Sequence, residues 1–174
     1  MLNMYMKMTG AVLTVLSTTL FGISLAREKK ANNERYKKAS DWFELICERL
    51  KCGNTSVSDV LTECTKGYDG IIRKISDEFV ESLNNSDNKT MKEALEMCNN
   101  YHKYYRYTIE GQYLEEFAVQ WDAAGVEGGL RCAERLVKTG NEKYTELSQD
   151  FSKDSKLLIC AGGFAGVFAV LMLI

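Results

Sequence analysis

Two uncharged stretches, one at each end, constrain this chain more than anything between them. Residues 8–26, MTGAVLTVLSTTLFGISLA, and 157–174, LLICAGGFAGVFAVLMLI, contain no Asp, Glu, Lys or Arg. About 20 apolar residues in a helix cross a bilayer, so both stretches lie near the lower length limit for a span. Residues 27–156 between them are strongly polar. The expected plan is an N-terminal transmembrane helix (1–26), a cytosolic helical domain with a basic juxtamembrane stem (27–156), and a C-terminal transmembrane helix (157–174).

Composition sets the class of the middle part. Proline is absent from the 174 residues, where average usage of about 5% would give roughly nine. Proline breaks helix interiors and punctuates loops, so its absence favours long helices joined by short turns. The net charge is −2, far from the basic balance of a chain built for non-specific nucleic-acid binding. A single histidine, His102, excludes most histidine metal sites and any His-pair chemistry.

The side of the membrane follows from charge. Residues 27–38 carry Arg27, Lys29, Lys30, Arg35, Lys37 and Lys38 against two carboxylates, a local charge of +4. Basic flanks stay on the cytoplasmic side, and Lys7 with the N-terminal amine is the weaker opposing signal. The competing reading is a secreted or tail-anchored helical protein. Ser24-Leu25-Ala26 would be its signal cleavage site, and Asn54-Thr55-Ser56 and Asn88-Lys89-Thr90 its glycan sequons. Cysteine usage favours the cytoplasm. Cys47, Cys52, Cys64, Cys98 and Cys132 are an odd set outside the terminal stretches, without C-x-x-C, suited to reduced thiols rather than to a disulfide framework or zinc.

Helical periodicity runs through the polar part. Trp42, Leu45, Ile46 and Leu50 mark a first stripe that ends at Gly53–Ser56, and Ser58 or Thr55 can cap a second helix carrying Val60, Leu61 and Cys64. Gly67 and Gly70 break the chain. Ile72, Ile75, Phe79 and Leu83 form a third stripe, and Asn84–Asn88 reads as a loop. A fourth helix carries Met91, Leu95, Cys98, Tyr101 and Tyr105, and a fifth Tyr113, Leu114, Phe117 and Trp121. The sixth, with Leu130, Ala133, Val137, Gly140, Tyr144, Leu147 and Phe151 at alternating spacings of 3 and 4, continues without a breaker into residue 157. Gly125-Val126-Glu127-Gly128-Gly129 is a turn between helices rather than a phosphate loop. The fold expected is all-α, an antiparallel six-helix bundle flanked by the two transmembrane helices.

Chemistry is sparse. No nucleotide-binding loop occurs, Glu115-Glu116 sits on a helix, and His102 among Tyr101, Lys103, Tyr104, Tyr105 and Arg106 has no base or orienting partner in sequence. The expectation is a protein that is not an enzyme, without cofactor or metal. The rival is an enzyme whose carboxylates and tyrosines form no recognisable motif. The terminal stretches carry the clearer pattern. Gly10, Thr14, Thr18 and Gly22 recur every four residues, and Gly162 and Gly166 do the same at the other end. Small residues at this spacing let helix backbones approach in lipid.

The order of features resembles stage III sporulation protein AB. Its local marks are Met8-Thr9-Gly10-Ala11-Val12-Leu13 with Ser17-Thr18-Thr19 and Gly22, Phe43-Glu44-Leu45-Ile46, and Gly53-Asn54-Thr55-Ser56-Val57. Lys92-Glu93-Ala94-Leu95, Leu114-Glu115-Glu116-Phe117 and the glycine-containing tail follow. Ser56 stands where the family often has proline, and Trp121-Asp122 and Gly125 depart from its pattern. The resemblance implies a non-enzymatic component of the secretion-like mother cell–forespore channel, in the mother-cell membrane around the forespore. It further implies a cytosolic six-helix bundle similar to type II secretion and type IV pilus platform domains. The partners implied are sibling stage III sporulation proteins, including the secretion-type ATPase.

Alternating helix directions give such a bundle two ends. Lys66, Arg73, Lys74, Lys103 and Arg106 would turn back towards the basic stem and an anionic membrane surface. Glu48, Asn54, Asp59, Asp87, Asp122 and Glu127 would form the distal, partner-binding end.

Overall fold

The computed structural model describes residues 2–53, 56–85 and 90–173, with the backbone alone for 2–8, 152–156, 158, 162, 169 and 171–173. Every regular element among them is helical: α1 (Leu2–Lys51), α2 (Val57–Thr65), α3 (Ile71–Asn84), α4 (Met91–Glu96), a π-helical turn (Tyr101–Tyr105) and α5 (Ile109–Leu173). Helix α5 is interrupted at Ala124 (φ −144°, ψ 18°) and Gly125 (φ 60°, ψ −146°), which divides it into limbs 109–123 and 126–173. The Gly125 backbone lies in a region that side chains disfavour, and this is why the turn falls on a glycine. The chain forms two compact units, Met1–Glu34 with Tyr144–Ile174, and Arg35–Lys143.

The Arg35–Lys143 unit holds the core. Trp42, Phe43, Ile46, Leu61, Ile75, Phe79, Leu95, Leu114 and Phe117 are each nearly or completely buried. Full burial of one such side chain is worth about 1.5–3 kcal/mol. Phe43 is the hub, meeting Trp42, Tyr113 and Phe117 edge-on at centroid distances of 5.0, 5.8 and 5.7 Å. Leu45, expected in the first stripe, is instead 41% exposed. At 100° per residue Ala39, Trp42, Phe43, Ile46, Cys47 and Leu50 share one face, and Leu45 falls roughly 130° from its centre.

The fourth helix predicted from Met91 to Tyr105 is broken. Helix α4 stops at Glu96, and the Tyr101–Tyr105 turn follows after Cys98, closed by the Arg106 N–H donating to Tyr101 O at 2.8 Å. The Asn100 N–H leaves the helical ladder to donate to Glu78 Oε1 on α3 at 3.1 Å. The cap of α2 also differs from expectation. Ser56 occupies the N-cap position without bonding the first turn, its hydroxyl lying 2.9 Å from that of Ser58. Thr55, like the sequons at Asn54 and Asn88, lies outside the described residues.

Within the other unit, α1 and the second limb of α5 approach closely. A Cβ on Gly166 would lie 2.8 Å from Val15 Cα and closer still to the Thr18 hydroxyl. Asn33 Nδ2 donates to Ser148 Oγ at 2.7 Å. Thr14, Thr18 and Thr19 turn their hydroxyls back onto their own helix, to the carbonyls of Gly10, Thr14 and Val15 at 2.8, 3.0 and 2.8 Å. With these hydroxyls satisfied locally, shape rather than hydrogen bonding sets the approach.

Candidate interaction surface

At the end of the Arg35–Lys143 unit where α1 enters it, one ion pair fixes the geometry. Arg35 donates to Glu110 twice, Nε to Oε1 at 3.1 Å and Nη2 to Oε2 at 2.6 Å. Glu110, the second residue of α5, is 4% exposed. Burial of a carboxylate demands such a fork, and the contact holds the Arg35 guanidinium above its ordinary pKa. Arg35 was expected on an open basic face, and its partner 75 residues away left no mark in the local pattern. Phe43 meets Phe117 at a nearly identical offset, so α1 and the first limb of α5 run parallel.

The π-helical turn sits just before α5. Tyr101 is buried and its hydroxyl donates to Glu115 Oε2 at 2.6 Å; burial first, and then this bond, raise its pKa. His102 Nε2 lies 2.8 Å from Glu96 O, a side chain to backbone contact at the surface. Lys103 Nζ stands 5.0 Å above the Tyr104 ring, a cation–π distance.

Three of the other basic residues expected on a membrane-proximal face have carboxylate partners on their own helices. Lys30 pairs with Glu34 (3.8 Å), Lys37 with Asp41 (2.7 Å) and Arg73 with Asp77 (3.7 Å), all exposed i,i+4 contacts of small energetic weight. Arg27, Lys29, Lys38, Lys66 and Lys74 are exposed. Tyr68, in the α2–α3 turn after Lys66, is half-buried, and burial first, then the charge of Asp41, pushes its hydroxyl up to about 12.

Asp122 stands near the C-terminal end of the first limb of α5. Asp122 is committed within the chain: Oδ1 accepts from Met91 N–H at 2.8 Å and Oδ2 from Lys92 N–H at 2.9 Å. Thr90 and Glu93 close a capping box on the same helix start. Together they satisfy the first N–H groups of α4. The Thr90-x-x-Glu93 spacing is a local signal for this cap, whereas Asp122, some 30 residues away, leaves none. Glu48 and Asp59 are exposed without an ion pair among the described residues, and Glu127 pairs with Arg131 at 3.9 Å. Asn54 and Asp87 lie outside the described residues.

Of the expected packing residues at the chain ends, Thr18 meets Gly166 directly, and Gly22 is buried. Gly10 has open space around it, while Gly162 has only its backbone described. Among the described residues no three His, Cys, Asp or Glu side chains gather to hold a metal ion. Burial raises the thiols of Cys64 and Cys98 to about 11 and the Tyr113 hydroxyl to about 12.

These features define an all-helical protein whose first helix is long and apolar enough at its N-terminal part to cross a membrane. The particular family follows from comparison. Residues 7–174 match the family model of stage III sporulation protein AB, and the chain belongs to that family. No curated protein and no solved structure matches it. Its role is therefore in sporulation.

Proposed function

We propose that this protein is a non-enzymatic membrane scaffold of the secretion-like channel apparatus between mother cell and forespore, where it docks a secretion-type ATPase and sibling stage III sporulation proteins. The observation that carries this reading is α1, a helix from Leu2 to Lys51 that includes the apolar stretch 8–26 and, further on, supplies Trp42, Phe43, Ile46 and Leu50 to the core. A partner gripping the polar unit is thereby tied to the membrane through one helix. In this reading 8–26 and 157–174 both span the mother-cell membrane around the forespore. Counting the two limbs of α5 separately, residues 27–156 form a six-helix antiparallel bundle in the cytoplasm.

The free carboxylates Glu48 and Asp59 are the first residues to test at the distal end. Asp122 is unsuitable because its loss would uncap α4. Full-length chain in detergent should co-purify the secretion-type ATPase of the same organism. Glu48→Lys with Asp59→Lys should weaken that capture without changing the helical content. Undiminished capture would remove this end from the interface, and ATP hydrolysis by the purified chain alone would end the scaffold reading.

A further inference from the structure

Between the terminal stretches, the longest run without a carboxylate is 97–109, MCNNYHKYYRYTI, and its charged residues are Lys103 and Arg106. The backbone of this run is firmly anchored. The Asn100 N–H donates to Glu78 Oε1 at 3.1 Å, Tyr101 is buried with its hydroxyl on Glu115, and Tyr105 packs against the core. The N–H and the hydroxyl of Thr108 both donate to Tyr105 O, at 2.9 and 2.8 Å. Gly111 lets that carbonyl settle onto α5, since a Cβ there would lie 2.8 Å from Tyr105 C and closer still to its oxygen. The single π-helical turn within the run is a rare form that recurs at functional sites.

What the anchored turn presents outward is aromatic and basic. His102, Lys103, Tyr104, Arg106 and Tyr107 are exposed, Tyr104 by 58% and Tyr107 by 85%. Lys103 Nζ lies 5.0 Å from the centroid of the Tyr104 ring, so cation and ring share one spot. Among the described residues neither Lys103 nor Arg106 has an ion-pair partner. Tyrosine and arginine are enriched among the residues that carry binding energy at protein interfaces, and a tyrosine ring covers a large area at little entropic cost. A backbone fixed before binding lowers the ordering cost further.

We propose that the Lys103–Tyr107 turn is a docking surface for an acidic segment of a protein partner. Carboxylates of that segment pair with Lys103 and Arg106, and its apolar side chains cover Tyr104 and Tyr107. Charge complementarity selects this occupant. Two cations match a pair of carboxylates, whereas a continuous polyanion would also meet the carboxylates that flank the turn. Glu96 is exposed and its carbonyl lies 2.8 Å from His102 Nε2, and Glu115 is bonded to Tyr101. Two phosphate contacts would in any case hold nucleic acid only weakly at physiological salt. The surface shares no residue with the acidic end that carries Glu48 and Asp59, and it takes a partner of the opposite charge.

The test is photo-crosslinking in sporulating cells that make the full chain with benzoylphenylalanine in place of Tyr104 or Tyr107, or of the exposed Thr62 on α2 as the control. Positions 104 and 107, but not 62, should crosslink to one protein, and mass spectrometry should place the crosslink within a few residues of two or more Asp or Glu. Lys103→Glu with Arg106→Glu should cut the product from position 107 about tenfold or more with the amount of chain unchanged. Changing the partner's carboxylates to Lys should restore it. Tyr104→Ser, which keeps both charges, should cut the same product about fivefold or more. A crosslink to lipid, to nucleic acid or to a second copy of this chain overturns the proposal. So does a partner segment without carboxylates, a product that survives the charge reversal, or no more product at 104 and 107 than at 62.

Discussion

Replacing Arg35 with Ala would leave the Glu110 carboxylate 4% exposed and without its fork. Stranding a buried charge costs about 3–5 kcal/mol, and because the Arg35 side chain is 34% exposed water recovers part of that, placing the loss near about 3 kcal/mol. Chemical denaturation of the solubilised chain followed by circular dichroism should show this loss, and Arg35→Ala with Glu110→Ala should be less destabilised than Arg35→Ala alone. The buried thiols give a second residue-scale prediction. Cys64 and Cys98 titrate at about 11 in the folded chain against an ordinary 9. The folded state thus holds protons that the unfolded state gives up. Their contribution is fully present below pH 9 and is lost as pH rises from 9 to 11. The stability of Cys64→Ala with Cys98→Ala should fall less steeply over that window than that of the natural chain. At neutral pH Cys52 should react with a thiol reagent at once, while Cys47, Cys64, Cys98 and Cys132 wait for unfolding.

At the scale of elements, the two limbs of α5 meet where glycine lets them. A Cβ on Gly129 would enter the Trp121 ring and come within 3.2 Å of Phe117. Gly129→Ala should therefore cost about 1–3 kcal/mol by overpacking, and Gly125→Ala about the same by backbone strain at φ 60°. Gly10→Ala, with nothing within 4 Å, should be neutral. Thermal melting of the three variants side by side checks all of these. A short element such as α4, Met91–Glu96, depends on its caps more than on propensity. Asp122→Ala, which removes two of its N–H acceptors, should cost about 1–2 kcal/mol and increase amide exchange at Met91 and Lys92 first.

For the molecule as a whole, the basic run after Ala26 predicts that the polar part faces the cytoplasm. Asn85, at the exposed end of α3, reports on this without disturbing the core. In a chain with Cys52→Ser and Cys160→Ser, Asn85→Cys should not react with an impermeant maleimide added to intact cells, and should react once they are opened. Labelling in intact cells would reverse the orientation and favour the secreted reading. Deleting the gene should reduce heat-resistant spore counts.

The sequence by itself determined the helical class, the apolar N-terminal stretch long enough to span, and most of the core. These depend on local period and composition, and the spacing of Ile72, Ile75 and Phe79 or of Ala133, Val137 and Gly140 states which face goes inward. It also put a turn in the run Gly125–Gly129, but only Gly125 serves it, since only glycine tolerates that backbone, and residues 126–129 are helical. What the tertiary structure decided is which polar groups are free. Arg35 and Asp122 look in sequence like any exposed charge, yet one is locked to Glu110 and the other caps α4. The stripe around Trp42 was misphased for a related reason: Leu45 and Phe43 are both apolar, and only the positions of Tyr113 and Phe117 choose between them. Periodicity is a property of one segment, whereas a salt bridge, a cap or the occupied face of a helix is a property of two segments brought together by the whole chain.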